Sequence, residues 1–117
     1  MTDTPTITGY HAHIYYDAAT KPAAERLRAR LEETFSAPVF GRWHDRPVGP
    51  HPRWSYQVAF ETALHDEIVA FIDAHREGLT VLLHEETGDE VRDHTDGASF
   101  LGEAVELDIE YMRKRRR

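Results

Sequence analysis

The sequence predicts an α+β sandwich: one antiparallel sheet, two helices packed on one of its faces, and an extra strand near the C-terminus. Two observations lead there. Strand-like alternation and helix-like periodicity follow one another in the order strand, helix, strand, strand, helix, strand. The three longest alternating segments also put a nearly unbroken apolar set on one side. A chain of 117 residues can build one substantial core but not two. A single domain over residues 1–112 is therefore expected, with a basic tail at 113–117.

The first strand is Gly9 to Tyr16, where Tyr10, Ala12, Ile14 and Tyr16 alternate with His11, His13 and Tyr15. A helix from about Pro22 to Phe35 follows. Thr20 is placed to cap it, Pro22 suits its first turn, and Ala24, Leu27, Leu31 and Phe35 form its apolar stripe. Val39 to Trp43 reads as a short strand. His44 to Pro52, with three prolines and Gly49, reads as a stiff loop. Arg53 to Phe60 alternates again, with Trp54, Tyr56, Val58 and Phe60 on one side. Thr62 then caps a helix running to about Arg76, with Leu64, Ile68, Phe71 and Ile72 turned inward and Gly78 as the stop. Leu79 to His84 is the fourth strand, and Glu85 to Gly97 a polar loop. Val105, Leu107, Ile109 and Tyr111 alternate with acidic residues, which predicts a fifth strand, with a helix as the other reading.

Two right-handed crossovers joined by a hairpin give the ferredoxin-like βαββαβ arrangement, strand order 4-1-3-2, with the first strand central. One sheet face collects the apolar residues of the central strands. The other carries His11, His13, Tyr15, Arg53, Ser55, Gln57, Thr80, Leu82 and His84. That second face needs cover, so a homodimer or a folded-back tail is expected.

Composition excludes several functions. No cysteine is present, which removes disulfides, thiolate metal sites and cysteine nucleophiles and makes the cytoplasm the expected location. No apolar run approaches the roughly 20 residues of a membrane span, and Met1 to Thr8 lacks the features of a signal peptide. The net charge is −7; the last five residues contribute +5, leaving −12 on the other 112. An acidic body does not suit a phosphate backbone, so no nucleic-acid partner is expected.

Eight histidines stand out. His11 and His13, two apart on a strand, project from the same face with Cα atoms roughly 6.5–7 Å apart. The fourth strand runs antiparallel to the first, so His84 at its end arrives beside His11. Three imidazoles from two neighbouring strands form a plausible facial ligand set with open coordination positions. Histidines on a polar face that merely bond to water are the alternative. His51 sits in Gly49-Pro50-His51-Pro52, where the prolines stiffen the backbone around a side chain that either serves a site or belongs to an ordinary turn. His94 and the carboxylates Glu85, Asp89 and Asp93 lie just beyond the His84 end. His65 and His75 read as surface helix residues, and His44 as a loop residue without a role.

Tyr10-His11-Ala12-His13-Ile14-Tyr15-Tyr16, Gly49-Pro50-His51-Pro52, and Leu82-Leu83-His84 with Thr87-Gly88-Asp89 and Asp93-His94 together resemble the DOPA 4,5-dioxygenase family, over about Gly9 to Tyr111. The resemblance implies an extradiol dioxygenase that opens a catechol ring with O₂, using Fe(II), with zinc as a metal a purified sample could carry instead. It implies His11, His13 and His84 as metal ligands, with Asp93 or Glu85 as the carboxylate if one histidine is not a ligand. His51 and His94 become the acid/base pair. Tyr15, Ser55 and Gln57 would line the substrate pocket, and Arg53 would meet a substrate carboxylate. Two other readings are a dimeric small-molecule-binding module without redox chemistry, and a zinc hydrolase using the same ligands.

Overall fold

A computed structural model describes residues 5–115. Met1–Thr4, at the start of the segment read as lacking a signal peptide, and Arg116 and Arg117 of the basic tail lie outside the described residues. The strands are β1 (Gly9–Tyr16), β2 (Val39–Phe40), β3 (Trp54–Phe60), β4 (Val81–Glu86) and β5 (Ala98–Leu101), and the helices α1 (Lys21–Thr34), α2 (His65–His75), α3 (Glu90–Asp93) and α4 (Ile109–Arg115). They form one five-stranded sheet in the order β2-β3-β1-β4-β5, with every pairing antiparallel. The predicted 4-1-3-2 order is present within it, and the architecture is that of a ferredoxin-like sandwich.

The apolar face packs as the alternation requires. Ala12, Ile14, Tyr56, Val58, Val81 and Leu83 meet Ala24, Leu27 and Leu31 of α1 and Ile68 and Ile72 of α2 in one buried cluster. Thr20 does not cap α1 through its side chain. It exchanges hydrogen bonds with Asp17 instead, each backbone N–H donating to the other's side-chain oxygen. Thr62 likewise is not the cap of α2 but opens a 3-10 turn, Thr62–Leu64, that leads into the helix. Gly78, at φ +82°, ends the turn after α2 as expected. Among the described residues no helix is long and apolar enough to cross a membrane.

The C-terminal third departs from expectation. Val105 to Tyr111 is not a strand. The chain runs to Asp108 without regular secondary structure, with Val105 and Leu107 half-buried and Glu106 and Asp108 exposed, so the alternation is real but unpaired. Its place on the sheet is taken: β5 pairs along β4 from Val81↔Leu101 to His84↔Ala98. From Ile109 the chain turns into α4. The Asp108 carboxylate accepts from the Tyr111 N–H at 3.2 Å, and Arg113 pairs with Glu110 one turn away. The loop after β4 is also more ordered than its polarity suggests, because Asp89 caps α3 by accepting from Arg92 N–H.

The second face of the sheet is not open. His13, Tyr15, Ser55, Leu82 and His84 are all buried. The loop through Pro50 and His51, helix α3 and Met112 of α4 converge over the histidines. A hydrogen bond from Asp108 N–H to the Pro50 carbonyl, 2.9 Å, ties the entry of α4 to that loop. Cover for this face comes from the chain itself.

Candidate functional site

Register places the three predicted ligands together. His11 on β1 stands directly opposite His84 on β4, and His13 follows two residues along β1 on the same side. One potential ligand atom from each of the three lies within 4.8 Å of the others. His13 and His84 stack with ring centroids 5.0 Å apart, and their Nε2 atoms are separated by 3.0 Å. That separation is a hydrogen-bond distance, and it is also short enough for both nitrogens to reach one ion at about 2.1 Å each.

Hydrogen bonds at the far nitrogens of His84 and His11 fix their tautomers, while the two Nε2 atoms of His13 and His84 are hydrogen-bonded to each other, an interaction that an ion would replace. His84 Nδ1 lies 3.0 Å from the Glu85 carbonyl, which can only accept, so Nδ1 carries the proton and Nε2 keeps its lone pair. His11 Nδ1 lies 3.0 Å from a Glu86 carboxylate oxygen and is fixed in the same sense. Partners of this kind orient metal-binding histidines and raise their basicity. Burial depresses all three basicities. His84 is pushed down to about 3, by desolvation first and the neighbouring His94 second. His13 falls well below its ordinary value through desolvation and then through the other histidines. His11 is lowered by desolvation ahead of His94. Near neutral pH the cluster therefore presents uncharged imidazoles, the form that binds a metal ion. The donor set fits a divalent transition metal.

Two further histidines stand over this cluster. The His51 ring lies 4.2 Å from that of His13, and His51 Nδ1 shares a 2.8 Å hydrogen bond with the Tyr15 hydroxyl. Desolvation, followed by His94 and His44, pushes His51 down to about 4. Burial raises the Tyr15 phenol far above its usual value, so its hydroxyl keeps its proton. The stiff loop delivers His51 as its prolines suggest: His51 N–H closes a turn onto the Val48 carbonyl, and Gly49 takes the left-handed φ of +56° that this turn needs. The His94 ring is 4.0 Å from His84, and its Nδ1 donates to the Glu90 carbonyl at 2.8 Å. All five histidines line one cavity of about 260 Å³, together with Gln57, Glu86, Met112 and Arg115.

The remaining predicted site residues divide. Gln57 lines the main cavity, and Ser55 lines a pocket of about 120 Å³ that also touches His13, His51 and Gln57. Tyr15 reaches the site through His51 and does not line the main cavity. Arg53 opens into a different cleft, with Tyr16, Trp54 and Thr80, where it pairs with Glu103 at 2.7 Å. Asp93 is buried and its two oxygens accept from the Thr87 N–H and hydroxyl at 2.8 and 2.6 Å. Glu85 pairs with Arg92, a contact made under Gly97, where a Cβ would press to within about 3.0 Å of the Glu85 carboxylate. Asp89 serves the cap of α3. His65 packs at a tilt against Tyr10 and His75 stacks on Phe71, away from the cluster.

A model of the Dopa 4,5-dioxygenase family matches residues 10–111, a span that includes every one of these histidines. The chain belongs to that family. It is 30% identical over 111 residues to a DOPA 4,5-dioxygenase of Amanita muscaria, an alignment covering 88% of this chain and 49% of that protein. It is 28% identical to an uncharacterized 21.2 kDa protein of Botryotinia fuckeliana, covering 90% of this chain and 63% of that one. The chain thus spans about half to two thirds of the length of these relatives. Among solved structures, a candidate dioxygenase from Nostoc punctiforme superimposes with a TM-score of 0.92 at 45% identity, covering 98% of this chain and 99% of the other.

For this family member, the sequence reading missed Glu86, Met112 and Arg115. Glu86 was legible: it continues the series Leu82, His84, Glu86 along one face of β4, and was lost only because the strand was ended two residues early. Met112 and Arg115 share a helix face three residues apart, a spacing hidden once the segment is read as a strand.

Proposed function

We propose that the protein is an extradiol ring-cleaving dioxygenase acting on a catechol, with Fe(II) held by His11, His13 and His84. The observation that carries this reading is the convergence of three uncharged imidazoles in one cavity, with two more histidines over them whose free nitrogens have opposite hydrogen-bonding character. Ferrous iron bound there would supply open positions for a catechol and O₂ and the electrons that activate oxygen.

The chain's own residues manage the protons. His94 gives its Nδ1 proton to the Glu90 carbonyl, so its Nε2 is a bare acceptor suited to taking a catechol hydroxyl proton. His51 has the reverse polarity. A protonated phenol is a better donor than a neutral imidazole, so the Tyr15 hydroxyl donates to Nδ1 and leaves the proton on Nε2. That N–H suits donation to the oxygen that must leave when the O–O bond breaks. Tyr15 is thus a positioning residue, with Gln57 and Ser55 lining the space beside it. Both atoms of O₂ end in the product, an aldehyde and a carboxylate on the opened ring.

The test is anaerobic loading with Fe(II), then air and a panel of catechols, following oxygen uptake and the yellow ring-opened product. Uptake with at least one catechol is expected. No uptake with any of them overturns the enzyme reading and leaves a metal-containing binding module.

A further inference from the structure

Arg115 is the only lysine or arginine lining the histidine cavity among the described residues. Every other charged side chain around that cavity, apart from the titratable histidines, is acidic: Glu86, Glu90 and Asp93. Two of these are engaged, Glu86 with His11 and Asp93 with Thr87. Arg115 forms no ion pair among those found in the described residues; its guanidinium rests 5.5 Å from the Tyr111 ring centroid, one turn back along α4. Arg115 is exposed at the cavity rim, but the helix that carries it is held in place. Asp108 caps α4 and is itself hydrogen-bonded to Pro50, and Met112, buried on the same helix face, anchors the turn before Arg115.

We infer that Arg115 is the specificity-determining residue of this site, selecting catechols that carry a carboxylate on a short side chain over neutral catechols. The inference rests on the ring-cleaving reading for the catechol and on the cavity for the rest. A volume of about 260 Å³ is below the roughly 300–1,000 Å³ of pockets for drug-sized ligands, so it takes a single ring with a short substituent. A carboxylate brought toward this acidic lining needs a cation, since an unpaired charge out of water is costly. A guanidinium meets a carboxylate through two parallel hydrogen bonds. The body of the chain carries −12, so without the cations of the C-terminal segment an anionic ligand would be repelled from it. Arg53, the other arginine associated with this sheet face, is committed to Glu103 in a separate cleft.

The metal-loaded protein is titrated without oxygen with 3,4-dihydroxyphenylacetate and, separately, with its methyl ester, and oxygen consumption with both is then measured in air. Wild type is expected to bind the acid more tightly than the ester. Arg115→Gln should weaken binding of the acid by about tenfold to a hundredfold, the worth of a hydrogen bond to a charged group, and leave the ester unchanged. Arg115→Lys should recover part of the loss, and Arg113→Gln, on the same helix, should match wild type. In air the Arg115→Gln defect should appear in KM for the acid and not in kcat for the ester. Equal binding of acid and ester by wild type, equal weakening of both by Arg115→Gln, or a loss that follows Arg53→Gln instead overturns the inference. Preference for the acid without oxygen consumption upholds it and removes the ring-cleaving reading. Consumption without that preference does the reverse, and failure to bind either compound overturns both.

Discussion

Acidification of the metal-free protein should unfold it in a pH range where carboxylates are still ionised. His13, His51 and His84 are all buried and all hold basicities below the ordinary imidazole value of 6.5, His51 at about 4 and His84 at about 3. In the unfolded chain each returns to about 6.5 and binds a proton below it. The unfolded state therefore takes up more protons than the folded one as pH falls, and stability falls with it. This stability is fully present above pH 6.5 and is lost progressively as pH falls toward the folded-state values of about 4 for His51 and about 3 for His84. One pKa unit corresponds to about 1.4 kcal/mol, so at pH 5 His51 and His84 have each forfeited about 2 kcal/mol. His51 and His84 together forfeit on the order of 4 kcal/mol, a large share of the stability of a small domain, and His13 acts in the same direction. Glu86, raised by burial, works in the opposite direction, but one half-exposed carboxylate cannot offset three buried imidazoles. The assay is urea unfolding of metal-free protein at pH 7.5, 6 and 5. The midpoint should fall steeply between pH 6.5 and 5, and His84→Gln should flatten the slope. A midpoint constant across that range would refute the claim that these histidines are buried uncharged.

His13→Ala should lose bound metal and turnover while keeping its fold, because the ring lies opposite the core of Ala12 and Ile14; His75→Ala, at the end of α2, should keep both. Stoichiometric metal in the first variant would break the ligand assignment, and this is read by metal analysis together with circular dichroism. His51→Ala should retain metal and slow the chemical step by roughly 10²–10⁴-fold, while Tyr15→Phe should give a smaller loss in kcat, with KM little changed, because the ring remains but its tautomer is released. Equal rates for wild type and both variants would remove His51 from the proton path. Glu86→Gln should weaken metal affinity by roughly 10–100-fold through the released His11 ring, measured by competition with a chelator; unchanged affinity would mean that Glu86 does not orient His11.

The positions of His11, His13 and His84 were legible because strand periodicity is local. Residues two apart share a face whatever the rest of the chain does, and one antiparallel pairing is enough to bring the third histidine across. The same rule separated the apolar face, from Ala12 to Leu83, from the histidine face. It failed at Val105 to Tyr111, where equally good alternation found the sheet edge already occupied by Ala98–Leu101.

The sequence by itself determined which residues of the first four strands face each way, and hence the core, the order of those four strands and the identity of the clustered histidines. Tertiary structure alone decided what lies above them. Whether Arg53 or Arg115 shares a cavity with His84, whether Asp93 faces a metal or Thr87, and whether the histidine face stays open all depend on segments far apart in the chain. Alternation specifies the side of a sheet on which a residue stands. It carries no information on which loop or helix crosses that side, because that choice follows from the packing of Met112, the Asp108–Pro50 hydrogen bond and the turn at Gly49, none of which has a repeating signature in the chain.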